Sequence, residues 1–292
     1  MRESIEPLIV ERAPWLARQG PWPRAARGVL DQILGYDEVV SLAETLKDKS
    51  ATGIMNTVAG RLAKDVHVTG LENMPATGAA LVVANHPTGI GDGIMLWHAL
   101  RQLRPDMFFY ANSDILRILP QMGDLIAPVE WRHEKRSRTK ARETMTYTRA
   151  ALDAGRLGVI FPSGRLAKRR GLTLHERDWM SSAATLARKF DLPVIPINIQ
   201  ARNSALFYMF DYLHPTLRDI TLFHETLNKD RQFFKITVGR PVPASQLSSN
   251  AEEATAHLKR VTLKAGDPQL HRSGNLRPAY WRRLSPKPRR LT

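Results

Sequence analysis

The chain contains no cysteine, which excludes disulfides, thiolate metal ligands and a cysteine nucleophile in one step. It also lacks any run of about 18 apolar residues, the length a membrane-spanning helix needs. The first 30 residues interleave Glu3, Glu6 and Glu11 with arginines, so no signal peptide is expected and membrane contact should be peripheral. Acids are scarce. Against 43 Lys and Arg stand 28 Asp and Glu, a formal net charge of +15, which favours polyanions or anionic surfaces as partners. Nucleic acid, anionic lipid headgroups and acidic carrier proteins all fit that charge.

What remains is the composition of an ordinary folded protein, 43% hydrophobic and 24% charged over 292 residues, enough for a sizeable core. No internal repeat or long low-complexity linker divides it. Three regions are expected: a helical N-terminal arm packed on the core (1–64), an α/β domain (65–266) and a basic C-terminal tail (267–292) that carries Arg282, Arg283, Lys287, Arg289 and Arg290. In the arm, Trp15 and Trp22 lie among Arg12, Arg18, Arg24 and Arg27, with prolines at 14, 21 and 23 that prevent one long helix. Tryptophans beside arginines suit a membrane interface; they equally suit an arm that packs its rings on the protein body.

Periodicity predicts helices over 37–47, 51–64, 92–103, 113–119, 137–153, 181–190 and 251–264. Strands are expected at Val66 and Val68 and over 79–84, 107–110, 125–129, 157–161, 193–199 and 233–238. Leu96, Trp97, Leu100 and Leu103 should form one apolar helix face, and Ala141, Met145, Thr148 and Leu152 another, ending at Gly155 as a C-terminal cap. Strands alternating with helices predict an α/β fold with a mainly parallel central sheet flanked by helices.

The richest chemistry follows the apolar strand at 79–84, where Asn85 and His86 lead through Pro87, Thr88, Gly89, Ile90 and Gly91 to Asp92. A neutral imidazole can take a proton from a hydroxyl as its oxygen attacks a carbonyl. A carboxylate on the other ring nitrogen would fix the tautomer. The plainer reading makes Asp92 a helix cap and His86 a satisfied polar residue at a strand end. Gly89, Gly91 and Gly93 would let backbone approach a ligand closely.

A second block, Phe161-Pro162-Ser163-Gly164-Arg165, follows another buried strand and precedes Lys168, Arg169 and Arg170. Such a turn can present backbone N–H groups, with those of Ser163 and Gly164 as candidate oxyanion donors, and Arg165 can grip a phosphate through two parallel hydrogen bonds. It is also an ordinary Pro-Ser-Gly turn with solvated cations.

Together, Asn85-His86 with Asp92, the Phe161 to Arg165 block and Pro193-Val194-Ile195-Pro196 resemble the glycerolipid acyltransferases related to 1-acylglycerol-3-phosphate acyltransferase, over residues 66–239. Two features depart from the common pattern. The histidine and aspartate are separated by five residues, one more than usual, and the common Phe-Pro-Glu-Gly-Thr-Arg block has lost its acid and threonine. Both resemble the branch of hemolysin-like and ornithine-lipid acyltransferases. The resemblance implies acyl transfer from an acyl carrier protein or acyl-coenzyme A thioester to the hydroxyl of a lysophospholipid or lyso-ornithine-type lipid. It implies His86 as general base, Asp92 as its orienting partner, and Asn85, Thr88, Gly89, Ser163, Gly164, Arg165 and Lys168 as substrate-binding residues. No metal and no cofactor beyond the acyl donor are implied.

Arg132, Lys135, Arg136, Arg138, Lys140 and Arg142 crowd together around the single acid Glu134, either as a solvated face or as a contact for anionic lipid or acyl carrier protein. Nucleic-acid binding is the rival from charge alone, but zinc-finger spacing and the RNA-recognition aromatic pattern are missing. A serine hydrolase would need a Gly-x-Ser-x-Gly elbow, which is missing too; Ser163 is the residue it would use. A non-catalytic lipid-binding protein of the same fold is the third alternative. An enzyme of this family is expected in the cytoplasm, on the inner face of the membrane.

Overall fold

The computed structural model describes residues 2–12, 20, 28, 35–130, 137–171, 173–213, 221 and 225–266. Its strands are β1 (Val66–Thr69), β2 (Ala80–Ala84), β3 (Phe108–Asn112), β4 (Ile126–Val129), β5 (Leu157–Ile160), β6 (Lys168–Arg170), β7 (Thr173–His175), β8 (Val194–Gln200) and β9 (Phe234–Val238). Seven of them form one sheet in the order β1-β9-β8-β2-β5-β3-β4, while β6 and β7 pair as a separate antiparallel hairpin. Within the large sheet every neighbouring pair is parallel except β8 with β9. The expected α/β fold with a mainly parallel sheet is the one formed.

The helices are α1 (Arg2–Arg12), α2 (Tyr36–Leu46), α3 (Ala51–Leu62), α4 (Ile90–Leu100), α5 (Ile115–Ile118), α6 (Arg138–Asp153), α7 (Ser182–Lys189), α8 (Ala205–Leu213) and α9 (Ala251–Ala265). They cover both faces of the sheet, for a reason visible in β2. All five of its residues are buried. Because successive side chains point to opposite faces, Ala80, Val82 and Ala84 join a core with Val58 of α3 and Leu96 and Trp97 of α4. Leu81 and Val83 join a second core with Ala151 of α6, Ala184 of α7 and Leu258 of α9. A central parallel strand buried on both sides reads as a continuous apolar run, and each buried Val or Leu contributes about 1.5–3 kcal/mol.

Gly158 of β5 shows how tightly this packs. A Cβ there would meet the Phe108 ring at 3.0 Å and Leu81 at 3.2 Å, so glycine makes room for the aromatic ring of the next strand.

Several expected boundaries shift. Helix α4 begins at Ile90 rather than at Asp92 and ends at Leu100, leaving Leu103 outside it and 38% exposed. On α6 the buried residues are Thr148, Ala151 and Leu152, with Met145 packed partly buried against the same core and Ala141 exposed. Ser137 accepts a hydrogen bond from the Lys140 N–H as the N-cap, and Gly155 has a left-handed φ of 75° after the last turn. The β6–β7 hairpin occupies a stretch read from sequence as solvated cations. In the arm, Ile5 packs with Val40 and Ala43 of α2; Trp15 and Trp22, the cations Arg132, Lys135 and Arg136, and the tail 267–292 lie outside the described residues.

β2 runs parallel to β5 and to β8, with Val83 opposite Ile160 and Ala84 opposite Ile197. The segments that leave these three strands therefore emerge at one edge of the sheet, the carboxyl edge where α/β folds bind ligands. That edge receives His86, Phe161 and Arg202.

Candidate active site

The site is built upward from Asn85. Its side-chain amide donates to the Ile199 carbonyl at 2.8 Å and its oxygen accepts from the Ile199 N–H at 2.7 Å. This clamp to β8 fixes the chain one residue before the histidine. Asn85 was expected to touch substrate; it is buried, and its amide serves the backbone instead.

His86 Nδ1 lies 2.8 Å from Asp92 Oδ2. The same carboxylate oxygen accepts the N–H groups of Thr88 at 2.9 Å and Gly89 at 3.0 Å, while Oδ1 accepts the Thr88 hydroxyl at 2.6 Å. Every partner of this fully buried carboxyl is a donor, so Nδ1 carries a hydrogen, and in the neutral imidazole the lone pair lies on Nε2. Asp92 thereby both caps the start of α4 and orients the histidine, so the two readings of this residue coexist. Its negative charge also sits at the positive end of the helix dipole. Thr88 is buried and spent on Asp92 rather than presented to a ligand.

The longer spacer is absorbed at Gly89, whose φ of 92° and ψ of −135° suit glycine alone. Gly91 works differently. It lies inside α4, and a Cβ there would meet the Lys229 side chain at 2.8 Å; the position needs smallness, not conformational freedom.

The imidazole is held from the other side by Phe161, stacked at 4.2 Å between ring centroids and 23° between planes. The His86 backbone carbonyl accepts the Ala167 N–H at 2.8 Å. With 17% of its side chain exposed, His86 reaches solvent, and among the described residues no hydrogen bond occupies Nε2.

In the Phe161 to Arg165 block, the Gly164 N–H donates to the Phe161 carbonyl at 2.9 Å, closing a tight turn with Gly164 at φ 58°. That N–H is consumed by the turn, which removes it as an oxyanion donor. The Ser163 hydroxyl donates to the Arg165 carbonyl at 2.9 Å and is buried, which argues against a nucleophile. Arg165 and Lys168 are exposed beside the turn. Among the described residues no cluster of three or more His, Asp or Glu is arranged to hold a metal ion.

With this geometry in hand, residues 65–200 match the protein family described as acyltransferase. Over those residues the chain is similar to the glycerolipid and lysophospholipid acyltransferases. It is an O-acyltransferase. Similar proteins include the lyso-glycine lipid O-acyltransferase of Phocaeicola vulgatus, 25% identical over 227 residues that cover 76% of this chain and 80% of that one. The lyso-glycine lipid O-acyltransferase of Bacteroides thetaiotaomicron is 23% identical, covering 76% and 82%. The crystal structure of the 1-acyl-sn-glycerophosphate acyltransferase from Thermotoga maritima superposes with a TM-score of 0.47 at 16% identity, over 91% of this chain and 96% of that one.

The acyltransferase also uses residues that its sequence did not announce. Glu176, just after β7, accepts the His86 backbone N–H at 3.2 Å on Oε2 and the Trp179 indole N–H at 3.0 Å on Oε1. Burial pushes its carboxyl above the ordinary carboxylate range, an effect partly offset by Trp179, His86 and the Ser163 hydroxyl. Glu176 thus places a carboxyl against the backbone of the His86 loop. The available signal was a pair of acids, Glu176 and Asp178, closing a basic stretch. Beneath the loop, Lys229 is fully buried, donating to Asn203 Oδ1 at 2.6 Å and Gln232 Oε1 at 3.0 Å, with Glu225 at 3.5 Å. Burial lowers the Lys229 pKa, opposed by Glu225 and Asp92.

Proposed function

We propose that the enzyme moves a fatty acyl group from an acyl carrier protein or acyl-coenzyme A thioester to the hydroxyl of a lysophospholipid or an amino-acid lyso-lipid of the ornithine or glycine kind. The observation that carries this reading is the His86–Asp92 pair: Nδ1 held at 2.8 Å by a saturated carboxylate, Nε2 without a partner among the described residues. His86 Nε2 takes the proton of the acceptor hydroxyl as its oxygen bonds to the thioester carbonyl carbon. Asp92 stabilises the resulting imidazolium without taking its proton. Collapse of the tetrahedral intermediate breaks the carbon–sulfur bond, and the imidazolium returns the proton to the departing thiolate.

Asn85, Thr88 and Gly89 act as positioning residues in this scheme, while Arg165 and Lys168 stand where an acceptor headgroup or a donor phosphate would arrive. The likeness to lyso-glycine lipid O-acyltransferases supports an amino-acid lipid as acceptor. No helix among the described residues is long and apolar enough to cross a membrane, and the net charge of +15 supports peripheral attachment to an anionic, cytoplasmic membrane face.

The deciding experiment incubates purified enzyme with lyso-glycine lipid, lyso-ornithine lipid and lysophosphatidic acid, each with acyl-coenzyme A and with acyl carrier protein as donor. Diacyl product from at least one pair is expected. No product from any pair, with vesicle binding retained, would replace this reading with a non-catalytic lipid-binding role.

A further inference from the structure

Directly after β8, Arg202 carries two buried guanidinium nitrogens, Nε and Nη2, that find no acceptor among the described residues. On the next residue, Asn203 Nδ2 is likewise buried and unpartnered. Buried donors left without acceptors each cost free energy, and a guanidinium costs more than an amide. The carboxylates nearby cannot relieve them. Asp92 is saturated by His86, Thr88 and Gly89, and Glu225 is held by Lys229, Ser204 and Gln232.

A second cation adds to the deficit. Arg169, from the hairpin strand β6, lies over the Tyr208 ring at 4.9 Å. Burial works against the charged Arg202, Tyr208 favours it, and the positive charge of Arg169 adds a smaller opposition. Tyr208 itself is pushed up to about 12 by burial and remains a neutral phenol. Two guanidinium groups therefore lie beside one aromatic ring, Arg169 exposed with its Nε donating to the Gly171 carbonyl at 2.7 Å, and among the described residues no carboxylate hydrogen-bonds to either.

The place is tied to the catalytic loop. Arg202 follows by three residues Ile199, whose backbone is clamped by Asn85 next to His86. Arg169 follows by two residues Ala167, whose N–H bonds the His86 carbonyl. The half-buried Arg202 remains open to an entering group.

We infer that Arg202 and Arg169 form an anion site that takes the carboxylate or phosphate of a substrate beside His86, the acceptor's charged headgroup or the donor's phosphate. The inference rests on the acyl-transfer reading for the substrate's identity, but the anion site can be tested without turnover. Unlike Arg165 and Lys168, which lie exposed on the turn and hairpin, Arg202 offers buried donors with no other use. Such charge-assisted bonds favour planar, bidentate acceptors.

The test measures binding by calorimetry to three short-chain probes below their micelle concentrations: an N-acyl glycine, a monoacylglycerol phosphate and an uncharged monoacylglycerol. Coenzyme A forms a fourth arm. Wild type should bind at least one anionic probe more tightly than the uncharged one. Arg202→Gln and Arg169→Gln should each weaken that probe about tenfold or more and leave the uncharged probe unchanged. Loss on the lipid probes assigns the site to the acceptor; loss on coenzyme A assigns it to the donor. Without ligand, Arg202→Met should melt higher than wild type, because it removes an uncompensated buried charge, whereas a structural arginine would lower the melting temperature. Equal binding of charged and uncharged probes by wild type, unchanged anion binding in both glutamine variants, or a lower melting temperature for Arg202→Met would each overturn the proposal. Absence of acyl transfer with anion binding intact would count against the function and leave the site standing.

Discussion

At the scale of single residues, the site depends on where protons and hydrogen-bond donors are placed around one imidazole. His86→Ala should lower acyl transfer by about 10²-fold or more with an unchanged melting temperature, because His86 reaches solvent and its ring carries little of the core. Near wild-type turnover in the folded variant would end the general-base role. Glu176 makes a different prediction. In the unfolded chain its carboxyl titrates near the ordinary value of about 4.3, and in the folded protein burial raises it. Between those two values the folded state holds a proton that the unfolded state has released, so wild-type stability falls as pH rises through the window. Glu176→Gln cannot ionise; it keeps one of the two acceptor oxygens, since its amide NH2 only donates, and that loss is the same at every pH. Its melting temperature relative to wild type should therefore be higher at neutral pH than at about pH 4; a difference that is flat with pH would show that the carboxyl is not held high.

At the scale of elements, the first turn of α4 and the segment carrying Lys229 interlock. Gly91→Ala would push a methyl group to 2.8 Å from a lysine side chain pinned by Asn203 and Gln232, costing about 1–3 kcal/mol of stability, and urea unfolding would measure it. Lys229→Met should cost about 3–5 kcal/mol by leaving Glu225 buried without its cation. The double variant with Glu225→Gln should recover most of that loss, and a double variant no better than the single one would show that the pair is not coupled. The same elements show what a sequence can disclose. β2 and the loop from Asn85 to Asp92 were legible because their signal is local: a continuous apolar strand, then glycines and a titratable pair within a few residues. The β6–β7 hairpin was not, since Lys168, Arg169 and Arg170 are exposed and offer no apolar alternation. Nor were Lys229 with Glu225, or Arg202. Charged residues in polar stretches read as surface, and only the packing of distant elements over them makes them buried. The clamp made by Asn85 was not legible either, because an asparagine beside a histidine carries no mark of the strand it holds.

At the scale of the whole molecule, charge is the dominant feature. A formal +15, which includes the cations of the tail at 282–290, should draw the protein to vesicles that contain anionic lipid, at about 1 kcal/mol per cation near the surface. Co-sedimentation should be strong at low salt and weaken as the Debye length shrinks to roughly 3 Å near 1 M salt. Equal binding to neutral vesicles at every salt concentration would remove electrostatics from membrane attachment, and sequence-preferring DNA binding would redirect the charge to nucleic acid.

One carboxylate, Asp92, accepts the amide hydrogens of Thr88 and Gly89 while it holds the histidine. Those two amides therefore exchange with solvent deuterium only when the bonds to Asp92 open, and such an opening releases the imidazole too. Their exchange rates give the fraction of molecules that are folded yet unable to react, so a variant that loosens this loop should lose activity in proportion to their deuterium uptake, with its global melting temperature unmoved.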